Sequence, residues 1–132
     1  MGLITHTITM QYQAGASSVK GQTALTYSGE CNLSTLLSAN TSNQVESIGF
    51  TISQLEGCAI LCTGDLTLTP YNATSAGTPI VLAANTPLIW TLASGVTCPI
   101  AGAGLSGVVT SFKLSSTAGG TFTYLSSVNT GS

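Results

Sequence analysis

The stretch Pro79-Ile80-Val81-Leu82-Ala83-Ala84-Asn85-Thr86-Pro87-Leu88-Ile89-Trp90 holds two short apolar runs with a turn between them. The turn is Ala84-Asn85-Thr86, and the second run ends in the chain's only tryptophan. β-Branched and aromatic residues bounded by Pro and Asn are typical of a half-buried strand. We therefore predict a hairpin of strand, tight turn and strand at the centre of a small all-β domain.

Period-two alternation recurs on both sides of this hairpin. Over the ten residues from Leu3 to Tyr12, larger side chains alternate with polar ones, mostly threonine, which predicts a strand with a polar outward face. The continuous apolar run Cys58–Cys62 is consistent with a strand buried on both sides. For Cys31 to Asn43 we expect a short helix or an ordered loop, since Asn32 or Ser34 could cap a helical turn. Further strands are expected at residues 20–27, 45–55, 66–71, 108–114 and 121–128.

The spacing of these strands predicts the fold class. Turn signals follow one another every ten to fifteen residues, and the longer connections at residues 28–44 and 95–106 fit Greek-key crossings. We predict an all-β fold, a jelly-roll-like antiparallel β-sandwich of eight or nine strands with at most one short helix. No repeat or linker divides the chain, so residues 1–132 are expected to form a single β-sandwich domain.

The chain carries very little charge. Charged residues make up 5% of it and the net charge is −2, whereas about 25% is usual for a soluble domain. Two lysines cannot form a phosphate-binding surface, and no apolar run approaches the length of a membrane span. Residues 1–6 lack the basic and long apolar segments of a signal peptide. Because charge repulsion normally keeps small proteins apart, we favour assembly over a Thr/Ser-rich monomer.

The four cysteines do not follow a zinc-binding pattern, because paired C-x-x-C spacings are missing. Cys58 and Cys62 would lie on one strand face about 13 Å apart, which is too far for a disulfide between them. Each could instead bridge a neighbouring strand, and buried free thiols are at least as well supported. The sequence leaves open whether disulfides form among Cys31, Cys58, Cys62 and Cys98.

Catalytic chemistry has few candidates. His6 is the only histidine, and its place in an alternating strand favours a packed or interface role over that of a base. Glu46, Glu56 and Asp65 could supply a carboxylate pair, but no local spacing ties two of them to one site. We expect no enzyme activity, no catalytic residues, no metal site and no cofactor.

Two features would suit a binding module. The T-x-T runs within Thr5–Thr9, Thr67–Thr69 and Thr121–Thr123 could form a flat hydroxyl face. Trp90, Tyr71 and Tyr124 could stack on sugars, although core packing is favoured, above all for Trp90.

One long stretch resembles a known group of proteins. Residues 79–125 contain ANTPLIW, a Gly/Ala/Pro loop, a Val/Phe strand and GGTFTYL, and they resemble small virion proteins of tailed bacteriophages. In those proteins, β-sandwich or jelly-roll folds serve capsid decoration or tail and fibre assembly. The resemblance covers about a third of the chain, lies in the style of the sequence rather than in a diagnostic motif, and carries over no site residues.

The resemblance and the composition lead to one functional expectation. We expect a self-associating capsid decoration protein or minor virion subunit, made in the host cytoplasm and located in the virion. Its expected partners are copies of itself (trimers being common for such modules) and other virion shell proteins, with neither nucleic acid nor membrane. The alternative is a surface adhesin or carbohydrate-binding β-sandwich module. A small hydrolase is a third interpretation, and it would require His6 or a carboxylate pair in a cleft.

Overall fold

Within residues 4–27, 29–102 and 105–129, which the computed structural model describes, eleven strands form three antiparallel sheets. A single helical turn, α1 (Pro99–Gly102), and the 3-10 turns Ile52–Gln54 and Leu92–Ser94 complete the described elements. The strands are β1 (Ile4–Ala14), β2 (Ser17–Tyr27), β3 (Gly29–Glu30), β4 (Leu33–Leu37), β5 (Thr41–Thr51), β6 (Leu55–Cys62), β7 (Leu66–Tyr71), β8 (Ile80–Leu82), β9 (Leu88–Thr91), β10 (Val108–Ser116) and β11 (Gly120–Val128).

The strand order identifies a jelly roll. Strands β3 and β4 pair with successive parts of β11 and together act as one interrupted strand. Sheet I then runs β3/β4–β11–β6–β9, and sheet II runs β5–β10–β7–β8. Counting β3/β4 as one and β5 to β11 as the next seven gives eight strands, ordered 1-8-3-6 and 2-7-4-5. The predicted antiparallel, jelly-roll-like β-sandwich is confirmed. The hairpin β1–β2 is the third sheet and comes in addition to the eight strands.

The predicted central hairpin is wrong in its pairing. Both of its strands exist, but β8 pairs with β7 in sheet II, whereas β9 pairs with β6 in sheet I. The five residues 83–87 carry the chain from one sheet to the other, and tight hairpins use shorter turns. Asn85 adopts the left-handed conformation here (φ 56°), and its N–H donates to the carbonyl oxygen of Cys62 at 2.9 Å.

The expected helix or loop at Cys31 to Asn43 is also wrong. Residues Leu33–Leu37 form β4, in which Leu37 is buried, Leu33 is half-buried and Leu36 is exposed. Pairing with β11 therefore imposes period two on leucines whose spacing is equally compatible with a helical turn. The helical turn α1 lies instead in the expected Gly/Ala/Pro loop.

The run Cys58–Cys62 is buried on only one side. Cys58, Ile60 and Cys62 face the core, whereas Ala59 is half-buried and Leu61 is exposed on the outer face of sheet I. In a sandwich of two sheets, each sheet has one face without a cover. The continuous apolar run Cys58–Cys62 therefore reflects apolar residues on the outer surface of sheet I, and the strand is not buried on both faces.

An aromatic cluster joins the two sheets in the core. Phe112 of sheet II meets Tyr124 of sheet I edge to face, with ring centroids 5.1 Å apart. Phe50 of sheet II stacks on Tyr124 at 5.8 Å and meets Phe112 at 6.1 Å. Such pairs contribute about 0.5–1.5 kcal/mol each beyond the area that they bury. Trp90 is also buried, and its indole N–H donates to the carbonyl oxygen of Val96 at 2.7 Å.

All four cysteines are free thiols in this structure, with Cys58 and Cys62 buried and Cys31 and Cys98 half-buried. Burial, aided by nearby Cys98, raises the pKa of the Cys58 thiol to about 12. Cys58 is thus protonated at neutral pH and packs as a small apolar side chain. The core holds together without a cross-link.

One corner of the sandwich depends on a close backbone approach. A Cβ added at Gly64 would overlap the carbonyl oxygen of Gly119, whose own φ is 77°. Next to this contact, the carboxylate of Asp65 accepts hydrogen bonds from the N–H groups of Ala118 (2.9 Å) and Thr117 (3.1 Å). These bonds hold the pKa of Asp65 below its ordinary value. The corner fastens the β6–β7 connection to the β10–β11 turn.

We expect Gly64→Ala to lower the free energy of unfolding by ~2 kcal/mol or more, because the two backbones must separate. Urea denaturation followed by tryptophan fluorescence measures the loss. Gly49→Ala is the matched control, since nothing lies within 4 Å of an added Cβ at that strand position. Equal stability of the two variants would contradict the close approach.

Candidate functional site

The outer face of sheet II is polar. Threonines and serines of β7 and β10 occupy its outward positions, and exposed Val45 and Val81 lie on the two edge strands. The ammonium of Lys113 lies 4.6 Å from the centroid of the Tyr71 ring. This face has the composition of an ordinary solvated surface.

The outer face of sheet I is apolar. Leu125, Ala59 and Ile89 lie directly opposite one another on β11, β6 and β9. Leu61 adjoins this row opposite Thr123, and Leu36 lies on β4 opposite Thr121. The strands β4, β6, β9 and β11 that carry these residues contain one charged residue, Glu56 near the start of β6. We name these outward residues the apolar band, which consists of Leu36, Ala59, Leu61, Ile89 and Leu125.

The hairpin β1–β2, residues 4–27, forms an arm. Its two strands pair without interruption through eleven residue pairs, from Ile4 with Tyr27 to Ala14 with Ser17. The described side chains of the arm are exposed except for His6 and Ile8, which are half-buried. The base of the arm touches the body, and most of its length does not.

The arm is amphipathic. Because side chains alternate along a strand, His6, Ile8 and Met10 share one face, and the pairing of β1 with β2 adds Val19 to it. Met10 is 45% exposed and Val19 is 74% exposed. The opposite face is polar and carries the threonines and glutamines of β1 together with Lys20, which lies opposite Gln11.

His6 fastens the base of the arm to the body. Its Nε2 lies 2.7 Å from a carboxylate oxygen of Glu30, and its Nδ1 forms a hydrogen bond with the hydroxyl of Ser127. The imidazole bond to Glu30 is the main cause that lowers the pKa of that carboxyl. A cavity of about 280 Å³ opens beside this contact, lined by arm residues 6–8 and by Ala59, Ile89 and Leu125 of the band.

The Ser127–His6–Glu30 arrangement contains the three groups of a nucleophile, a base and an orienting acid. Ser127, however, is only 1% exposed, because it lies under the arm. Ser127, His6 and Glu30 all line the cavity beside this contact. The two hydrogen bonds of His6 join the arm to the body, and we refer to them as the fastening.

The structure does not bring the other candidate groups together. Glu46 lies on β5, where Gln44 donates to it at 3.0 Å, while Glu56 lies on β6 and Asp65 serves the corner described above. Among the described residues, no group of three His, Cys, Asp or Glu side chains could hold a metal ion. The carboxylates have separate structural surroundings.

The hydroxyl and aromatic candidates are also dispersed. The T-x-T runs lie on three different sheets, since Thr5–Thr9 belongs to the arm, Thr67–Thr69 to sheet II and Thr121–Thr123 to sheet I. Trp90 and Tyr124 are buried in the core, which confirms the packing role favoured for Trp90. Tyr71 alone of the three is partly exposed, beneath Lys113.

Comparisons with protein-family models, with curated proteins and with solved structures found no match to this chain. Over the described residues, no helix is both long enough and apolar enough to cross a membrane. The fold exposes two surfaces that suit a protein partner, the apolar band and the arm.

We expect the base of the arm to loosen in acid. A carboxyl whose pKa is lowered on folding stabilises the docked state above its ordinary value of 4.5 and loses that effect as the pH falls through the lowered value. Amide NMR signals and heteronuclear NOEs of residues 4–27 measure the release during titration from pH 6 to pH 3.

Glu30→Gln tests whether the Glu30 carboxyl is the cause, because a glutamine side chain cannot titrate. In this variant the arm should keep the same mobility from pH 6 to pH 3. Glu46→Gln, which removes a carboxylate outside the fastening, should titrate like the unmodified chain. Release at the same pH in the Glu30→Gln variant would show that another group controls the arm.

Proposed function

We propose that this protein is a structural subunit of a virion, a capsid decoration protein or minor component that acts by self-association. The observation that carries the proposal is the apolar band on the outer face of sheet I. A jelly roll needs only its inward faces to be apolar, so this outer face requires another explanation. Clustered exposed aliphatic side chains, here with Thr121 and Thr123 between Leu36 and Leu61, are typical of protein–protein interfaces.

The charge of the chain supports association between copies. With 5% charged residues and a net charge of −2, little electrostatic repulsion opposes contact between two molecules. Among the four strands that carry the apolar band, only β6 contributes one of those charges, Glu56. Burial of such a surface is favoured by roughly 25 cal/mol per Å² of apolar area, before the costs of association are subtracted.

The virion role is supported by two further considerations. Jelly-roll sandwiches build viral capsid proteins, and the resemblance of residues 79–125 points in the same direction. Lectin domains and cupins share the architecture, so the fold contributes by analogy and the surface carries the argument. The proposed partners are copies of this chain and other proteins of the shell.

A carbohydrate-binding module is the weaker proposal. Stacking on a sugar ring requires an exposed aromatic face. The rings of Trp90 and Tyr124 are buried in the core. Tyr71 remains partly exposed, but Lys113 lies over its ring. No described surface combines several accessible aromatic rings with carboxylates or amides.

We expect the purified protein to form a discrete oligomer, a particle or a fibre, because association removes the apolar band from water. Multi-angle light scattering gives the mass, and negative-stain images of the same fraction distinguish compact oligomers from shells and fibres. A monomer of 13.3 kDa at high concentration would overturn the proposal. In that case a glycan-binding screen tests the alternative.

We expect Leu125→Glu to weaken this association at least tenfold, since it places a charge in the middle of the apolar band. The matched control is Val45→Glu on the outer face of sheet II, at a side chain of similar exposure (57% against 47%). Dissociation constants come from sedimentation equilibrium. An equal loss in both variants would mean that added charge, rather than the band, disrupts the assembly.

A further inference from the structure

The apolar face of the arm continues beyond the surface that supports it. His6 and Ile8 are half-buried at the base, whereas Met10 and Val19, on the same face farther out, are exposed. Strands of eleven residues span about 37 Å at about 3.4 Å per residue, so much of the arm extends past its base. An isolated two-stranded hairpin is marginally stable in water, and this arm needs a second surface.

We propose that the arm of one copy packs its Met10 and Val19 face onto the apolar band of a second copy, and that the second copy's arm does the same in return. The proposal rests on the self-association proposed above and names the surfaces that meet. Each chain contributes one arm and one band, so a reciprocal exchange covers both surfaces without a third component.

The contact already present at the base of the arm indicates this surface. Arm residues 6–8 and band residues Ala59, Ile89 and Leu125 line the two sides of one cavity. The same face of the arm therefore already approaches the same face of sheet I within one chain. Between copies, Met10 and Val19, which lie farther out than Ile8 on the same face of the arm, contact the apolar band of the second copy.

Chemical character selects the band over the other outer face. The residues of the band are uncharged, as are Met10 and Val19 of the arm, so these side chains meet without burying a charge of their own. Lys20 lies on the opposite, polar side of the arm, because it is paired with Gln11. The outer face of sheet II also exposes valines, but Val45 lies beside Lys113 and Val81 beside Thr67, so they form no apolar row across neighbouring strands.

Charge complementation between two variants tests the pairing. Val19→Lys alters the arm and Leu61→Glu alters the band, and each alone should weaken association at least tenfold in light scattering. In a mixture, the lysine-bearing arm meets the glutamate-bearing band, and the unmodified arm meets the unmodified band. Native mass spectrometry should then show a mixed oligomer whose dissociation constant returns to within about threefold of the unmodified chain.

Matched controls carry the same charges on the other faces. Gln22→Lys lies on the polar side of the arm, opposite Thr9, and Thr69→Glu lies on the outer face of sheet II. Both should associate like the unmodified chain, and their mixture should show no preference for mixed oligomers. Far-UV circular dichroism and melting curves confirm folding, and Leu36→Glu replaces Leu61→Glu if the latter fails to fold.

The outcomes separate this inference from the proposed function. If the unmodified chain associates and Val19→Lys associates equally well, the arm exchange is overturned while self-association stands. If both single variants are weakened but their mixture is not restored, the arm and the band meet other surfaces, such as those of another shell protein, and the exchange is again overturned. A monomeric unmodified chain overturns both proposals.

Discussion

The contact between the rings of Phe112 and Tyr124 holds the two sheets of the body face to face. Phe50 completes the cluster from sheet II, and all three rings are buried. Because side chains alternate along a strand, fixing which residues face this cluster also fixes which residues face outward. The apolar band and the hydroxyl face are thus consequences of the same register, and a slip of one residue would exchange surface and core.

The two outer faces differ although the core treats both sheets alike. Sheet II presents hydroxyls that water can solvate, whereas sheet I presents leucine and isoleucine beside the base of the arm. Water solvates hydroxyls well, whereas exposed aliphatic side chains gain free energy when another surface covers them. Under the self-association proposed above, a neighbouring molecule covers the outer face of sheet I and leaves that of sheet II in solvent.

Local patterns in the sequence predicted most strands but not their partners. The strand at residues 66–71 was predicted with the bounds that the structure has, because alternation and the flanking turns are local signals. The hairpin at Pro79 to Trp90 failed because pairing in a jelly roll joins distant segments, and the leucines near Leu36 fit helix and strand equally well. The alternation around His6 favours a packed or interface role, but it does not identify the partner Ser127, which lies 121 positions away, beyond the reach of any spacing rule.

The same separation sets an order of events during synthesis. At about 5–20 residues per second, synthesis of the arm is complete some 5–20 s before Ser127 is added to the chain. Strand β4 must also wait for β11, so sheet I is completed last. During this interval the arm lacks Ser127, whereas Glu30, Ala59 and Ile89 of its own body are synthesised earlier. The bond between His6 and Ser127 is therefore among the last contacts that a newly made chain completes.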